Sequence, residues 1–295
     1  MKRRAVISVN IAVLLFGLAG LCAKWIQLPA VAISFGRVLF SSMALGIFML
    51  VRKQRFLIDD RKDLLLLICA GAIQGLHWWS FLQSVQLSTV AIGTIMFSSF
   101  PLFLTFLEPL LLRRKPEGRN VFFSVLILIG VLITVPEFSL ENHRFLGILT
   151  GLLSALAYAI LTIMNKRFSE TYSGTVIAFW EQATATVILL PFVIGARVQP
   201  SGSDLALLLF LGVITTALAH TLFITGLRTL PVQLAGICSS METVYGILFA
   251  TLLLGEIPTV REVLGAVIII GAVIAAQMQG DREYAGKRKT DTETV

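Results

Sequence analysis

The sequence predicts an all-α membrane protein: ten transmembrane helices arranged as two inverted five-helix repeats, with both termini in the cytoplasm. Three observations carry that expectation. The chain is too apolar for water, its apolar runs recur at the thickness of a bilayer, and one half aligns with the other.

Hydrophobic residues make up 56% of the 295, charged ones 14%, and the mean hydropathy is +0.87. A soluble domain carries about 25% charged residues and must wet its own exterior. This balance excludes a water-soluble fold. The net charge of +7 does not point to nucleic acid, because Lys and Arg sit in short clusters between apolar runs rather than on a stripe with stacking aromatics. Such clusters orient a chain in a membrane and attract anionic lipid.

A spanning helix needs about 20 predominantly apolar residues. Ten stretches qualify: 5–26, 30–51, 64–86, 89–112, 121–136, 146–165, 174–196, 205–228, 231–254 and 263–279. The connectors carry Pro, Gly or charge, and none is long enough for a soluble domain. Lys2-Arg-Arg followed by an apolar run imitates a secretory signal. No small-residue cleavage site precedes a soluble domain, so the run is read as the first span. With the N-terminus inside, 19 Lys and Arg face the cytoplasm and 4 the outside, while Arg37 lies within a span. That asymmetry obeys the positive-inside rule and supports an even number of spans. Residues 280–295 are polar and are expected to form a disordered cytoplasmic tail. Cys22, Cys69 and Cys238 lie inside apolar runs and read as small buried hydrophobes.

The halves repeat. Residues 81–116 align without a gap to 223–258, placing Phe81 on Phe223, Val90 on Val232, Ile95 on Ile237, Ser98 on Ser240 and Pro116 on Pro258. The first repeat then covers 1–137 and the second 145–279. Five is an odd number, so the second copy enters the membrane from the opposite side. Inverted repeats are a signature of secondary transporters, whose two copies exchange shapes.

An ionisable side chain in mid-membrane is costly and marks a candidate site. Glu242 lies at the centre of the ninth span beside Ser239, Ser240 and Thr243, with Tyr245 and Gly246 on the same face. It reads as a site for an amine or a proton, or as a carboxyl held in a helix-packing hydrogen bond. His77 belongs to the stripe Gln74-His77-Phe81-Ser84 on one helix face, with Trp78 or Trp79 placed to stack on a substrate. His220 sits at the corresponding depth in the second repeat. Both histidines can serve a proton-coupled carrier or can be neutral bridges between helices. Arg37 corresponds to Glu181 across the repeats; it can grip a carboxylate bidentately or satisfy carbonyls at a helix break. Thr94, Ser98, Pro101, Thr105 and Glu108 share a face of the fourth span, where Pro101 allows a gating kink. Glu108 is expected to pair with Arg113 at the rim. The stripe Tyr158-Thr162-Asn165 reads as packing, and Gly71-x-x-x-Gly75 and Gly147-x-x-x-Gly151 fit close helix approach.

No GxxxxGK[ST] loop, HExxH or arginine ladder occurs, so neither an ATP-driven pump, a zinc protease nor a voltage sensor is indicated. No catalytic residue, metal or cofactor is expected.

The segment Trp79-Ser-Phe-Leu-Gln-Ser-Val-Gln-Leu-Ser-Thr-Val-Ala-Ile-Gly through Phe100-Pro101-Leu-Phe resembles the third and fourth helices of EamA-type exporters in the drug/metabolite transporter superfamily. Glu242-Thr-Val-Tyr followed by Leu252-Leu-Leu-Gly-Glu256 is similar to their Glu-Pro-Val and Leu-Gly-Glu pattern. The chain departs at Thr243, where the family often has Pro, and at Arg113-Arg114, where the first repeat lacks Gly-Glu. The resemblance implies a secondary active exporter in the bacterial inner membrane, multi-pass, monomeric or homodimeric. It would carry amino acids or related amphipathic metabolites by alternating access against protons. Arg37 would address a carboxylate, Glu242 an amine or proton, and Trp78, Trp79 and Phe81 an apolar side chain. A multidrug exporter of organic cations and a non-transport membrane protein are the alternatives.

Overall fold

The computed structural model describes residues 2–111, 113, 115–136, 138–230 and 232–293; the side chains of 2–4, 232–238, 240 and 277–293 are left aside. Among the described residues the regular structure is entirely helical. In chain order the helices are α1 (Lys2–Gly17), α2 (Ala19–Trp25), α3 (Ala30–Val51), α4 (Arg61–Leu87), α5 (Val90–Phe97), α6 (Phe100–Leu111), α7 (Gly118–Thr134), α8 (His143–Thr171), α9 (Gly174–Ala196), α10 (Gly202–Gly212), a π-helical segment (Val213–Leu218), α11 (Ala219–Leu227), α12 (Val232–Leu254) and α13 (Val260–Glu293).

Local chemistry sets the starts. The side chains of Asp60, Thr89, Asn142 and Ser173 each accept a hydrogen bond from a first-turn amide, capping α4, α5, α8 and α9. Ser201 and Asp204 form a capping box at α10. The fourth span is broken rather than merely kinked. α5 ends at Phe97, Ser98 and Ser99 intervene, and α6 begins at Phe100 with Pro101 in its first turn, where a missing N–H costs nothing.

Seven helical stretches among the described residues are long and apolar enough to cross a membrane: Ala5–Trp25, Ala30–Val51, Arg61–Leu87, Val90–Leu111, His143–Thr171, Gly174–Ala196 and Gly202–Leu227. Gly118–Thr134 and Met241–Leu254 are shorter apolar helices. α7 has 17 residues, about 25 Å of helix, somewhat less than the ~30 Å hydrocarbon core. α13 runs on to Glu293 through the stretch whose composition predicts disorder. Ala, Glu, Lys and Arg there are good helix formers.

The two repeats interlock. α1 packs against α11 and α12, the third and fourth spans of the second repeat, and α8 packs in the same way against α4, α5 and α6 of the first. Like elements also meet: α3 against α9, α7 against α13, α5 against α12. Close seams use glycine. A Cβ on Gly71 would lie 2.4 Å from the Thr184 Cβ, so α4 and α9 touch only because that atom is missing. The exterior carries Ile47, Leu50, Leu110, Phe122, Val187, Phe192 and Leu252, all more than 45% exposed. The interior hides Arg37, Gln74, His77, Glu181, Gln182, His220 and Glu242. This inversion of the soluble pattern fits lipid outside and a polar centre inside.

Candidate functional site

A central cavity lies between α1, α4, α5, α8, α11 and α12, lined by Phe16, His77, Trp78, Phe81, Phe97, Tyr158, His220 and Glu242. About 10 Å³ of it admits the centre of a water-sized sphere, roughly the room one water needs. The walls are therefore closed against each other. They are also strongly aromatic: the His77 ring lies 4.5 Å from Trp78, 5.1 Å from Tyr158 and 5.4 Å from Phe97. His77 Nδ1 sits 2.8 Å from Ser154 Oγ and 3.1 Å from the Ser154 carbonyl oxygen. His77 thus does both things that its position allowed, bridging α4 to α8 and presenting its ring to the cavity. Tyr158 hydrogen-bonds Ser239 of α12, beside the buried Glu242.

Arg37 stands one layer back. It is fully buried, its Nε donates to Thr216 Oγ1 at 2.9 Å, and its guanidinium carbon lies 3.4 Å from the centre of the Trp78 ring. Both terminal nitrogens, Nη1 and Nη2, lack a hydrogen-bond partner. The Trp78 indole separates this cation from the cavity that it lines. The π-helical segment supplies Thr216; a widened turn of this kind is frequent at functional sites. Four residues later on the same rod, His220 Nε2 meets Glu181 Oε2 at 2.7 Å. Glu181 therefore pairs with a histidine of its own repeat and not with Arg37.

Of the other expected site residues, Ser98 hydrogen-bonds Thr243 across the α5–α12 crossing, and Thr243 donates to the Thr94 carbonyl at 2.9 Å. Ser98 thus pins the helix that carries Glu242 and lies off the cavity wall. Tyr245 packs on Gly17 of α1, and Trp79 packs against the main apolar core, both off that wall. The side chains of Cys238 and Ser240 fall outside the described residues. No ion pair joins Glu108 to Arg113 among the described residues. The glutamate of the Leu-Gly-Glu motif does have partners. Gly255 adopts φ +68, a left-handed turn that favours glycine. Glu256 accepts from the Val90 amide at 2.9 Å, capping α5, and pairs with Lys24 at 3.5 Å.

Phe16, Phe97 and Tyr158 were missed as walls by sequence reasoning, although a signal existed. The offset of 142 positions that joins Phe81 to Phe223 also joins Phe16 to Tyr158, Trp78 to His220 and Phe100 to Glu242. In each of these last three pairs the first repeat supplies a plain aromatic and the second a hydroxyl, an imidazole or a carboxyl. The same offset joins Lys24 to Lys166, and each lysine bonds a carbonyl at the end of its own repeat's third span: Ser88 at 2.9 Å and Leu227 at 3.3 Å.

Comparison with known proteins gives this arrangement a family. Residues 3–135 and 145–276 each match the EamA-like transporter family. The chain belongs to the EamA-like transporters. Related proteins include the inner membrane transporter YicL of Salmonella typhimurium, 28% identical over 302 residues, 95% of this chain and 97% of YicL. The transporter YxxF of Bacillus subtilis is 24% identical over 100% of this chain and 96% of its own. The S-adenosylmethionine uptake transporter of Rickettsia felis is 26% identical over 253 residues, 84% of this chain and 83% of its own. A crystal structure superposes with a TM-score of 0.70 at 16% identity, covering 96% of this chain and 99% of the other, which supports the fold alone. This EamA-like transporter is a multi-pass inner-membrane protein built from two family repeats, with lipid around it and a small molecule as its substrate.

Proposed function

We propose that this transporter is a secondary active carrier of amino acids or related amphipathic metabolites, exporting them by alternating access in exchange for protons. The observation that carries the reading is Arg37: a buried guanidinium with both terminal nitrogens unpartnered, behind an aromatic wall that Glu242 shares. Leaving such donors empty costs about 1–3 kcal/mol or more, which a ligand carboxylate would recover through two parallel bonds. Glu242 complements the ammonium, and the rings of Phe16, Trp78, Phe81 and Phe97 complement an apolar or flat side chain. Together these groups suit a zwitterion.

Trp78 is the gate in this reading, since its indole must turn aside before a carboxylate reaches Arg37. The closed cavity is then an occluded or resting conformation. Ten spans, inverted repeats and cytoplasmic termini are part of the same proposal. They are supported by the Lys and Arg asymmetry and by the reciprocal packing of α1 and α8. One relative is named for uptake of S-adenosylmethionine, itself an amino acid bearing a purine and a sulfonium, so the substrate class agrees while net direction follows the gradient.

The test is thermal stabilisation of the purified protein across neutral and cationic amino acids, S-adenosylmethionine and quaternary ammonium compounds. Ligand at about 100 times its Kd stabilises by about 2.7 kcal/mol. We expect shifts from molecules holding a free carboxylate and amine together. Stabilisation by quaternary ammonium compounds alone would favour the cation-exporter alternative, for which Glu242 among aromatic rings is the supporting feature.

A further inference from the structure

The buried charges do not balance. Among the described residues, the formal charges buried away from helix starts are Arg37, Glu181 and Glu242. Asp204 and Glu262, also buried, cap the first turns of α10 and α13. With neutral imidazoles the buried set sums to one negative charge. With both carboxylates ionised, a membrane interior tolerates that excess poorly, and a proton or a cation removes it.

The Glu181–His220 pair is built to take that charge. Glu181 is fully buried and His220 is 2% exposed. Their 2.7 Å contact leaves Glu181 Oε1 without a partner. Gln182 and Gln74, on α9 and α4, also keep both side-chain polar atoms unpartnered. His220 lines the central cavity and Glu181 does not, so the imidazole stands between the carboxylate and any water or substrate. The surrounding elements bring Arg37 from α3, His77 from α4, Tyr158 from α8 and Glu242 from α12. Arg37 is the one fixed cation among them, and Thr216 holds it one helical turn before His220.

We propose that the Glu181–His220 pair, set in the wall of the substrate cavity with its carboxylate behind that wall, is the seat of the coupling proton, and that a substrate with one net positive charge exchanges against that proton. Either occupant brings the buried set to zero, and both together overshoot it. Mutual exclusion is the physical content of exchange transport. The inference rests on the carrier reading above and narrows its substrate class to net monocations.

Two measurements test it. The first needs no substrate: protein labelled with ¹⁵N-histidine, in lipid nanodiscs, is followed by NMR between about pH 5 and 8. The His220 signal, assigned by its absence from His220→Gln, is expected to respond to pH and to lose that response in Glu181→Gln. A His220 signal constant throughout overturns the proposal. The second uses liposomes with labelled arginine, net charge +1, and labelled leucine, net charge zero. Glu181→Gln leaves the empty buried set at zero, so it is expected to lose arginine accumulation driven by a pH gradient by about tenfold or more and to exchange leucine in counterflow in place of arginine. Undiminished gradient-driven arginine accumulation in Glu181→Gln overturns the proposal, as does loss of counterflow for arginine and leucine together, which would assign the pair to carriage itself. A titrating His220 in a protein that moves neither probe would leave the proton seat standing and bring down the amino-acid reading instead.

Discussion

At the scale of single residues, partnership decides role more than position along the helix does. Arg37 and Glu181 correspond across the repeats, yet each finds a different partner, Thr216 with Trp78 for one and His220 for the other. Replacing Arg37 by Lys keeps the charge and removes the planar fork. If that fork holds a substrate carboxylate, Arg37→Lys weakens binding by about tenfold or more, because charge-assisted bonds are worth about 1.5–3 kcal/mol. Thermal shift with the best ligand of the panel measures it, and equal affinity in the variant would detach Arg37 from substrate. Glu242→Gln is expected to spare the fold, since an amide fills the same space, and to abolish exchange in liposomes. Glu242, His77 and Arg37 were legible as candidates because charge and imidazole are conspicuous in lipid. Phe16, Phe97 and Tyr158 were not, since an aromatic at helical spacing looks the same whether it packs on a neighbour or faces a cavity.

At the scale of elements, helix contacts follow from small residues and caps. Gly71-x-x-x-Gly75 and Gly147-x-x-x-Gly151 mark seams that do exist: Gly71 abuts Thr184, Gly147 abuts Ser88, and Gly151 abuts Met96 and Ser84. Gly71→Val must push α4 off α9, a small-to-large change that costs about 1–3 kcal/mol and should lower the thermal midpoint without altering the residues of the cavity. The break after Phe97 was only half legible. Pro101 announced an irregularity, but the helix actually ends three residues earlier at Ser98 and Ser99, whose hydroxyl groups bond Thr243 and the Met96 carbonyl. Glu256 shows how a family motif acquires a physical role. It caps α5 through the Val90 amide and holds Lys24, tying the end of α2 and the start of α5 to the turn after α12. Glu256→Gln loses the ion pair and weakens the cap, for about 0.5–2 kcal/mol. If this rim is a gate, a membrane-impermeant maleimide should label Cys22, 1% exposed and two residues before Lys24, faster in the variant than in the same background without Glu256→Gln, with Cys69 and Cys238 replaced by Ser in both.

At the scale of the whole molecule, the repeat explains both the cavity's place and its asymmetry. Two pairs related by 142 positions, Phe16 with Tyr158 and Trp78 with His220, both line the centre, and in each the second repeat has replaced an apolar ring by a hydroxyl or an imidazole. A two-fold arrangement by itself would give two equal halves and no preferred orientation for a zwitterion; the exchanges Phe16 to Tyr158 and Phe100 to Glu242 remove that degeneracy. Such a cavity can be opened alternately from either face only if the copies are oppositely inserted, and that demands an odd number of spans in each. Reporter fusions decide the point. If the copies are inverted, alkaline phosphatase joined after Leu140, in the link between repeats, should be active, while fusions after Glu170 and after Glu293 should be inactive. Green fluorescent protein at the same three positions should give the reverse pattern. Inactivity at Leu140 would mean that the first repeat crosses an even number of times, and the copies would then be parallel. The interlocking of α1 with α11 and α12, mirrored by α8 with α4, α5 and α6, would in that case have to arise without inversion, and the exchange of shapes that drives alternating access would lose its structural basis.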